Sequence, residues 1–395
     1  MAQSLEKQKQ RREEERKKLR QNQTAGYFDY ALLFLVIFLV AFGLIMLYST
    51  SSYIAQTKFD GDSAYYVKKQ LFSCLVGFGF LIFFTAVPYQ KWKKFTVLIY
   101  AAVLGLNLLV IFAGSTYSGS TRWLSIGGFS FQPSETAKIG CIMVVAYLIS
   151  KSPAKYKKFG TVLKTFALIL PIFALIAYSN LSTAIIVAGI VFVMLFVAHP
   201  GYKSFVWIIL AGIAAVAVFL VTASYRLTRI QVWLHPEDYD TGYQTLQGLY
   251  AIGSGGLFGK GLGNSLQKLV VPEPENDMIF TIICEELGLI GGICVIILFL
   301  MLCWRFMIIA SQADDLYGSM IAIGVMAHIA LQTVLNIAVV TNSIPNTGVV
   351  LPFISYGGTS TMILLAEIGI VLSVSRGIRV PVPGLQPAET VRQGA

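Results

Sequence analysis

The chain has 395 residues, a mean hydropathy of +0.70 and only 13% charged residues, which is typical of an integral membrane protein and excludes a soluble globular domain. Its formal net charge of +10 comes mostly from lysines and arginines in a terminal tail and in short segments between apolar stretches, so it indicates membrane topology and not nucleic-acid binding. Five scattered cysteines without a CxxC pair, and three histidines without metal-ligand spacing, exclude a disulfide framework or a metal site readable from sequence.

Apolar stretches long enough to cross a bilayer recur from end to end of the chain. They predict an all-α polytopic membrane protein with about ten transmembrane helices. The fifth and sixth helices are expected to be joined by a tight turn at Ser179-Asn180. The ten predicted spans are 30–48, 70–87, 95–113, 134–150, 161–178, 181–198, 204–224, 279–305, 317–340 and 359–376.

The distribution of positive charge predicts the orientation of these helices. With both termini in the cytoplasm, 21 of the 30 Lys and Arg residues fall in cytoplasmic segments, as the positive-inside rule requires. This orientation places the largest loop, 225–278 between helices seven and eight, outside the cytoplasm. Residues 1–29 are then a charged cytoplasmic tail, 30–376 the membrane domain, and 377–395 a flexible cytoplasmic tail.

Four segments are expected on the outer side of the membrane, at 49–69, 114–133, 225–278 and 341–358. Two of them are too apolar to be plain solvent linkers. Irregular backbone is tolerated at membrane depth where protein buries it or where it lines a cavity. Partly re-entrant packing around a shared cavity is therefore the expected arrangement.

The acidic stretch VPEPENDMIFTIICEELGLIGG, at residues 271–292, is the most informative part of the large loop. It places Asp277 where the loop meets the eighth predicted helix. Asn and Asp are preferred helix N-caps, which favours a capping role for Asp277. An ionised, water-accessible acid at the outer rim is also a candidate general base for an acceptor hydroxyl. The pattern leaves both roles open.

Two further acids, Glu285 and Glu286, lie inside that apolar helix, where charge usually faces a cavity or a partner. In an α-helix Glu285 lies about 80° around the axis from Asp277 and roughly 12 Å deeper, whereas Glu286 lies about 180° around. Glu285 is therefore expected to line a cavity continuous with Asp277. Glu286 is expected to form a buried ion pair or hydrogen bonds with another helix.

A cationic rim is predicted near the same mouth. Glu135 and Lys138 are neighbours at i,i+3 in the fourth helix and should form a local ion pair, with Ser134 as the helix cap. Near the outer mouth Lys138 and Arg122 could also bind an anionic headgroup. Further along the chain, Lys260 and Lys268 extend this rim over the large loop.

Two weaker patterns accompany the rim. The glycine-rich run 253–263 could present backbone N–H groups to phosphate. His328, Gln332 and Asn336 form a polar stripe on the ninth helix, and such stripes usually hydrogen-bond between helices. Glu367 on the tenth helix is a further intramembrane acid with no obvious partner.

Four motifs in this order resemble the FtsW/RodA/SpoVE (SEDS) family, and the resemblance runs from about residue 30 to 376. The wording GLGNSLQK is more similar to the division and sporulation branches than to the elongation branch. The motifs are RWLSIGGFSFQPSETAK, GYQTLQGLYAIGSGGLFGKGLGNSLQK, VPEPENDMIFTIICEELG and IPNTGVVLPFISYGGTS.

The resemblance implies a ten-helix peptidoglycan glycosyltransferase that polymerises lipid II, a disaccharide-pentapeptide on undecaprenyl diphosphate, at the outer face of the cytoplasmic membrane. It also implies a class B penicillin-binding protein and other divisome proteins as partners in septal wall synthesis. Asp277 matches the family's essential aspartate, Glu135 and Lys138 match its QPSE…K motif, and Ser355 lies in its SYGG motif. Asp277 would be the general base, no cofactor is implied, and a role for a divalent cation is left open.

The chain departs from the family pattern at a few positions. Asn180 stands where an acid is common, so this position carries no charge here. Glu275-Asn276 and Met278 flank Asp277 where His-Thr and Phe are frequent. Two other functions compete with polymerisation: a lipid II flippase, which intramembrane polar groups would suit, and a non-catalytic scaffold that recruits a transpeptidase.

Overall fold

A computed structural model describes residues 24–117, 120–126, 129–221 and 224–381. Most of the two predicted cytoplasmic tails, at 1–23 and 382–395, lies outside these ranges. The described chain is mostly helical and has only a few short strands, which confirms the predicted all-α polytopic fold class. Its α-helices are α1 (Tyr30–Lys58), α2 (Tyr65–Ala86), α3 (Thr96–Ala113), α4 (Pro133–Lys151), α5 (Phe159–Ser179), α6 (Leu181–Ala198), α7 (Phe205–Val221), α8 (Ser224–Leu234), α9 (Tyr243–Ser254), α10 (Ile279–Gln312), α11 (Leu316–Val340) and α12 (Gly358–Gly377).

Each of the ten predicted spans corresponds to one observed helix. In the described residues, eight helices are long and apolar enough to cross a membrane, so the chain is a multi-pass membrane protein. The other two predicted spans are α4, which carries Glu135 and Lys138, and α7, whose strongly apolar part is short. The count of ten crossings therefore stays a prediction.

The helix ends agree with the sequence except where polar residues continue a helix. Helix α1 begins after Asp29, whose carboxylate accepts the Leu32 N–H at 2.8 Å as an N-cap, and it continues to Lys58. Helix α10 runs to Gln312, beyond the predicted end at 305. The predicted tight turn is present, because α5 ends at Ser179 and α6 begins at Leu181.

Two of the segments that were predicted to lie on the outer side contain structure that the sequence did not predict. In the Gly/Ser-rich segment 114–133, the strands β2 (Ser115–Tyr117), β3 (Ser120–Ile126) and β4 (Phe129–Phe131) form an antiparallel sheet in this order, with Leu124 opposite Phe131. The large loop contains the helices α8 and α9. Near the two ends of the described chain, β1 (Thr24–Gly26) pairs with β5 (Arg379–Pro381).

Helix α12 is the most deeply buried of the apolar spans and packs lengthwise against α2. Glycines permit this close approach, since a Cβ on Gly369 would lie 2.5 Å from the Leu81 carbonyl oxygen and one on Gly77 would lie 2.6 Å from Leu365 Cδ1. Helix α11 packs against α4, α6 and α10. These contacts bring the first turns of α4, α6 and α12 around one cavity.

Helix α10 is broken at Gly288, which has φ 72° and ψ −173°, and the glycine-rich run 253–263 packs into the break. Two N–H groups of this run donate hydrogen bonds to carbonyls of α10. The prediction that the run presents its N–H groups to phosphate is therefore wrong for these two groups. Four backbone hydrogen bonds join the segments: Leu289 N to Gly256 O (2.9 Å), Ile290 N to Leu257 O (3.2 Å), Lys260 N to Glu285 O (2.9 Å) and Gly261 N to Glu286 O (2.9 Å).

Candidate active site

A cavity of about 890 Å³ opens where α4, α6 and α12 begin, beside the loop that precedes α10. Its walls combine charged, hydroxyl and amide groups with a few apolar side chains, which is the character of a site for a polar ligand. Its polar and glycine lining is Lys68, Lys69, Ser73, Arg122, Ser130, Gln132, Glu135, Lys138, Asn180, Ser182, Thr183, Glu273, Asn276, Asp277, Gln332, Gly348, Tyr356, Gly357, Gly358, Thr359 and Ser360.

Asp277 lies half-buried in the cavity wall. Its backbone carbonyl accepts a hydrogen bond of 2.8 Å from Asn336 Nδ2, and the same amide donates to the Val349 carbonyl at 2.7 Å. Gly348 passes so close that a Cβ there would lie 3.9 Å from Asp277 Oδ2. Asn336 on α11 therefore fixes both loops that surround the carboxylate.

Asp277 is not the N-cap of α10. The capping position is Met278, and no side chain makes a cap hydrogen bond there. The capping role that the sequence favoured is therefore wrong, because the helix begins one residue later than a capping aspartate would require. The carboxylate stays on the cavity wall.

The surroundings of Asp277 make it a stronger base than an ordinary aspartate. Burial raises the pKa of Asp277 to about 6, and the nearby charges of Glu273 and Glu275 act in the same direction. Backbone N–H groups of Asp277 and Met278 oppose this shift. A carboxylate with this pKa is ionised at neutral pH and accepts a proton more readily than a fully solvated aspartate.

The opposite charges on the cavity wall belong to Lys68, Lys69, Arg122 and Lys138. The Nε atom of Arg122 is buried and has no hydrogen-bond partner among the described residues. Burial lowers the pKa of Arg122, yet a guanidinium stays charged at neutral pH. These cations can stabilise an anionic ligand or leaving group.

The predicted ion pair at the start of α4 is confirmed. Lys138 Nζ lies 2.9 Å from Glu135 Oε1, and both side chains are buried in the cavity wall. Ser134 is not the cap of this helix, since α4 begins at Pro133 without a side-chain cap hydrogen bond and Gln132 donates to Ser134 Oγ instead.

The first turns of three helices add to the positive potential of the cavity. Helices α4 and α12 begin without a side-chain cap, and α6 is capped by Asn180, whose side chain accepts the Thr183 N–H at 3.1 Å. The N-terminus of a helix carries roughly half a positive elementary charge. The uncharged Asn180 is thus a helix cap as well as a cavity residue.

The prediction that Glu285 lines the cavity is wrong. The Glu285 carboxylate is fully buried, pairs with Lys260 Nζ at 2.6 Å and accepts a short hydrogen bond from Ser265 Oγ. Neither Glu285 nor Lys260 is among the described residues that line the cavity. The angle between Asp277 and Glu285 around the helix axis describes α10 alone. In the structure, α9 and the glycine-rich run cover the face of α10 that carries Glu285.

Lys268 is likewise an internal partner and does not extend a cationic rim. Its ammonium donates to the Gly263 carbonyl at 2.6 Å and lies 3.4 Å from Glu286 Oε1. Glu286 also accepts from Ser49 Oγ at 2.7 Å, which confirms the predicted buried pairing of this acid. Both glutamates of α10 therefore hold the large loop against the bundle.

Ser355 lies next to the cavity but does not line it in the described chain. Its hydroxyl accepts the Leu351 N–H at 2.8 Å, so this serine shapes the loop instead of facing a ligand. The neighbouring Tyr356 and Gly357 do line the cavity. The SYGG motif thus contributes to the site through the residues that follow its serine.

The polar stripe on α11 makes the predicted contacts between helices. His328 Nδ1 lies 2.8 Å from Glu367 Oε2, which supplies the partner that the sequence did not reveal for Glu367. Gln332 also reaches the cavity wall, a position that the sequence missed. The polar stripe in the sequence indicated that Gln332 is buried among polar groups, but it did not indicate which residue of the stripe faces a cavity.

Among the described residues, the group that could hold a metal ion is His235, Glu237 and Asp238 in the large loop. All three are exposed, and exposed acidic groups are common without an ion. None of them lines the cavity around Asp277.

The comparisons with known proteins agree on one family. The family model described as "Cell cycle protein" (FtsW/RodA/SpoVE) matches residues 30–379. Stage V sporulation protein E of Bacillus subtilis (strain 168) is 39% identical over 361 residues, which cover 88% of this chain and 97% of that protein. A probable peptidoglycan glycosyltransferase FtsW of Geobacter sp. (strain M18) is 36% identical over 359 residues, which cover 89% of this chain and 98% of that protein.

Solved structures show the same relationship. A chain from a structure described as "structural coordination of polymerization and crosslinking by a peptidoglycan synthase complex" superposes with a TM-score of 0.75 at 25% identity, covering 88% of this chain and 98% of that one. The rod shape determining protein RodA of Thermus thermophilus superposes with a TM-score of 0.67 at 26% identity, covering 88% and 97%.

Proposed function

Because this chain belongs to the FtsW/RodA/SpoVE family, we propose that it is a peptidoglycan glycosyltransferase that polymerises lipid II in the septal wall of division or sporulation. Relatives named peptidoglycan glycosyltransferase FtsW support the enzyme class. The observation that carries the reaction is Asp277, a carboxylate with a raised pKa on the wall of a cavity that also presents four cationic side chains.

Asp277 would act as the general base for the acceptor sugar. It takes the proton of the acceptor 4-hydroxyl, whose oxygen then attacks the anomeric carbon of the growing strand with inversion. The bond from that carbon to the diphosphate breaks, and undecaprenyl diphosphate leaves with the electron pair. A pKa of about 6 suits this step, because the carboxylate is ionised at neutral pH and still basic enough to accept a proton in the transition state.

The other cavity residues would bind the anionic part of the substrate. Arg122 and Lys138 offset the charge that develops on the departing diphosphate, and the N-termini of α4 and α12 add backbone N–H groups. Glu135 and Ser360 are neighbours on the cavity wall, and their buried Oε2 and Oγ atoms have no other hydrogen-bond partner among the described residues. They are suited to bind hydroxyl or amide groups of the sugar.

The cellular setting follows from the positive-inside distribution of charge and from the relatives. We place the chain in the cytoplasmic membrane, with both termini inside and the cavity open to the outer face. The similarity to a chain of a peptidoglycan synthase complex supports a class B penicillin-binding protein as partner, alongside other divisome proteins.

The decisive experiment is polymerisation of purified lipid II by the protein co-purified with its class B penicillin-binding protein. Wild type should extend lipid II into glycan, and Asp277→Asn should lower the rate by at least about 100-fold, within the range of general-base contributions. The matched control is Asp238→Asn, an exposed acid of the large loop that lies outside the cavity, which should keep wild-type activity.

Three results would contradict the proposal. Normal polymerisation by Asp277→Asn would remove the general base. A wild-type protein that never forms glycan but moves labelled lipid II between leaflets would be a flippase, and one that does neither while binding its partner would be a scaffold.

A further inference from the structure

Five buried side chains from three helices form one continuous line of polar contacts that leads from the cavity wall into the bundle. Every one of them is more than nine-tenths buried. Only the first three line the cavity. In order, the contacts are Glu135 Oε1 to Lys138 Nζ (2.9 Å), Lys138 Nζ to Gln332 Oε1 (2.9 Å), Gln332 Oε1 to His328 Nε2 (2.9 Å) and His328 Nδ1 to Glu367 Oε2 (2.8 Å).

The partners of Gln332 determine the orientation of its amide. Gln332 Nε2 donates to the Val350 carbonyl at 3.0 Å, and a carbonyl can only accept. Gln332 Oε1 must therefore face Lys138, whose ammonium can only donate. Since this oxygen accepts on both sides, His328 Nε2 must carry a hydrogen and donate to it.

The protonation of His328 leaves one proton to be shared with Glu367. Either the imidazole is charged on both nitrogens beside a carboxylate, or a protonated Glu367 donates to a neutral imidazole. The pair has no net charge in either form. Glu135 and Lys138 also balance each other, so the whole line is neutral, as burial of ionisable groups in a membrane protein requires.

This line of contacts fixes the position of the Lys138 ammonium. Two of its three N–H groups donate to Glu135 and Gln332, which leaves the third for the cavity. Gln332 in turn is held by Val350 and His328, and His328 is held by Glu367. A flexible lysine is thereby confined to one geometry without any contact between the cavity and either His328 or Glu367.

We propose that His328 and Glu367 are positioning residues of the glycosyltransferase, which act through Gln332 to hold the Lys138 ammonium where it binds the anionic diphosphate of the substrate. The inference rests on the proposed function. Ionisable groups inside a membrane bundle are expensive, and a buried pair that only joined helices could be replaced by apolar packing. The pair is instead joined directly to the cavity wall, because His328 contacts Gln332.

The test measures kcat and KM for lipid II polymerisation by the complex with its class B partner. His328→Leu and Glu367→Leu should each lower kcat/KM at least tenfold. Glu367→Gln should recover most of the activity, because a glutamine amide can donate to His328 Nδ1 and leave Nε2 donating to Gln332. Thr333→Val is the matched control on the same helix, since this buried hydroxyl has no hydrogen-bond partner among the described residues and does not line the cavity.

Double variants distinguish positioning from a merely structural role. If His328 acts through Lys138, His328→Leu combined with Lys138→Met should be no slower than Lys138→Met alone. Additive losses would overturn the inference, as would wild-type activity of His328→Leu and Glu367→Leu. If the leucine variants do not fold, His328→Gln replaces His328→Leu in the same comparison, and thermal unfolding checks that this variant is folded. An inactive wild type would instead reject the proposed function itself.

Discussion

At the scale of single residues, the site depends on how Asp277 is held and shielded. Its backbone is fixed by Asn336, and its carboxylate lies near two other acids, Glu273 and Glu275. Glu275 is itself buried, burial raises its pKa, and its Oε2 has no hydrogen-bond partner among the described residues. These surroundings stabilise the protonated form of Asp277 more than water does, which raises its pKa and affects both activity and stability.

The activity should follow the protonation of Asp277. Because the raised pKa of about 6 means that the base is lost as the pH falls, kcat/KM for lipid II should rise from pH 5 and level off above about pH 7. Initial rates between pH 5 and 8 measure this profile. A rate that is constant from pH 5 to 7 would contradict the assignment of the base.

The same shift predicts that Asp277 lowers the stability of the folded protein at neutral pH. Its folded pKa lies above the unfolded value, so ionisation costs stability increasingly as the pH rises from about 4 to 6. Asp277→Asn should therefore raise the unfolding free energy at pH 7 by up to about 3 kcal/mol, and this gain should fall to about 0.5 kcal/mol at pH 4. Thermal unfolding of both proteins at the two pH values checks the sign, and a less stable variant at pH 7 would contradict it.

At the scale of elements, the large loop is anchored in the break of α10. Gly288 and Gly259 face each other there with positive φ, and a Cβ on Gly259 would lie 2.2 Å from the Glu286 carbonyl oxygen. The ion pairs of Lys260 and Lys268 with the two glutamates of α10 strengthen this junction. Glu285, which the sequence predicted to line the cavity, therefore has a structural role, as Glu286 was predicted to have, and both hold the loop that precedes Asp277 against α10.

A glycine substitution tests this junction. Gly259→Ala should lower the unfolding free energy by about 2 kcal/mol or more, since its positive φ is strained for alanine and the new methyl group collides with backbone. Gly79→Ala on α2 is the control, because nothing lies within 4 Å of its Cβ and alanine favours the helix by about 1 kcal/mol. Equal thermal midpoints for the two variants would show that the close packing at Gly259 does not contribute.

At the scale of the whole molecule, the segments between the helices differ in charge. Segments such as Lys91–Lys94 and Lys151–Lys164 are basic, whereas the loop before α10 is acidic and borders the cavity. This asymmetry predicts the orientation, because positively charged loops are retained in the cytoplasm. In the predicted orientation the cavity opens to the outer side, where the proposed polymerisation would take place.

The orientation can be measured by cysteine labelling in intact cells. Leu262→Cys, on the exposed glycine-rich run, should react with a membrane-impermeant maleimide from outside, whereas Lys155→Cys should react only after permeabilisation. Both variants are made with Cys294 and Cys303 replaced by serine, since these two native cysteines are not fully buried. The reverse pattern of labelling would contradict the predicted topology.

The positions of the helices and the family of the chain could be predicted from the sequence. Helix length and apolar content are local properties, so the ten predicted spans agree with observed helices, and the four motifs were sufficient to indicate the family and Asp277. Charges adjacent on one helix were also predictable, as the Glu135–Lys138 pair shows.

Which charged groups share the cavity depends on how distant parts of the chain pack together, and the sequence did not reveal this. Glu285, Lys260 and Lys268 are charged residues of the kind found in active sites. Each of them instead forms an ion pair with another residue of the protein, because a charge that leaves water needs a nearby partner. Those partners come from distant parts of the chain, as Lys138 with Gln332 and Asn336 with the Asp277 backbone show. The period of a single helix gives the direction of a side chain from its own axis but carries no information on what another element places there.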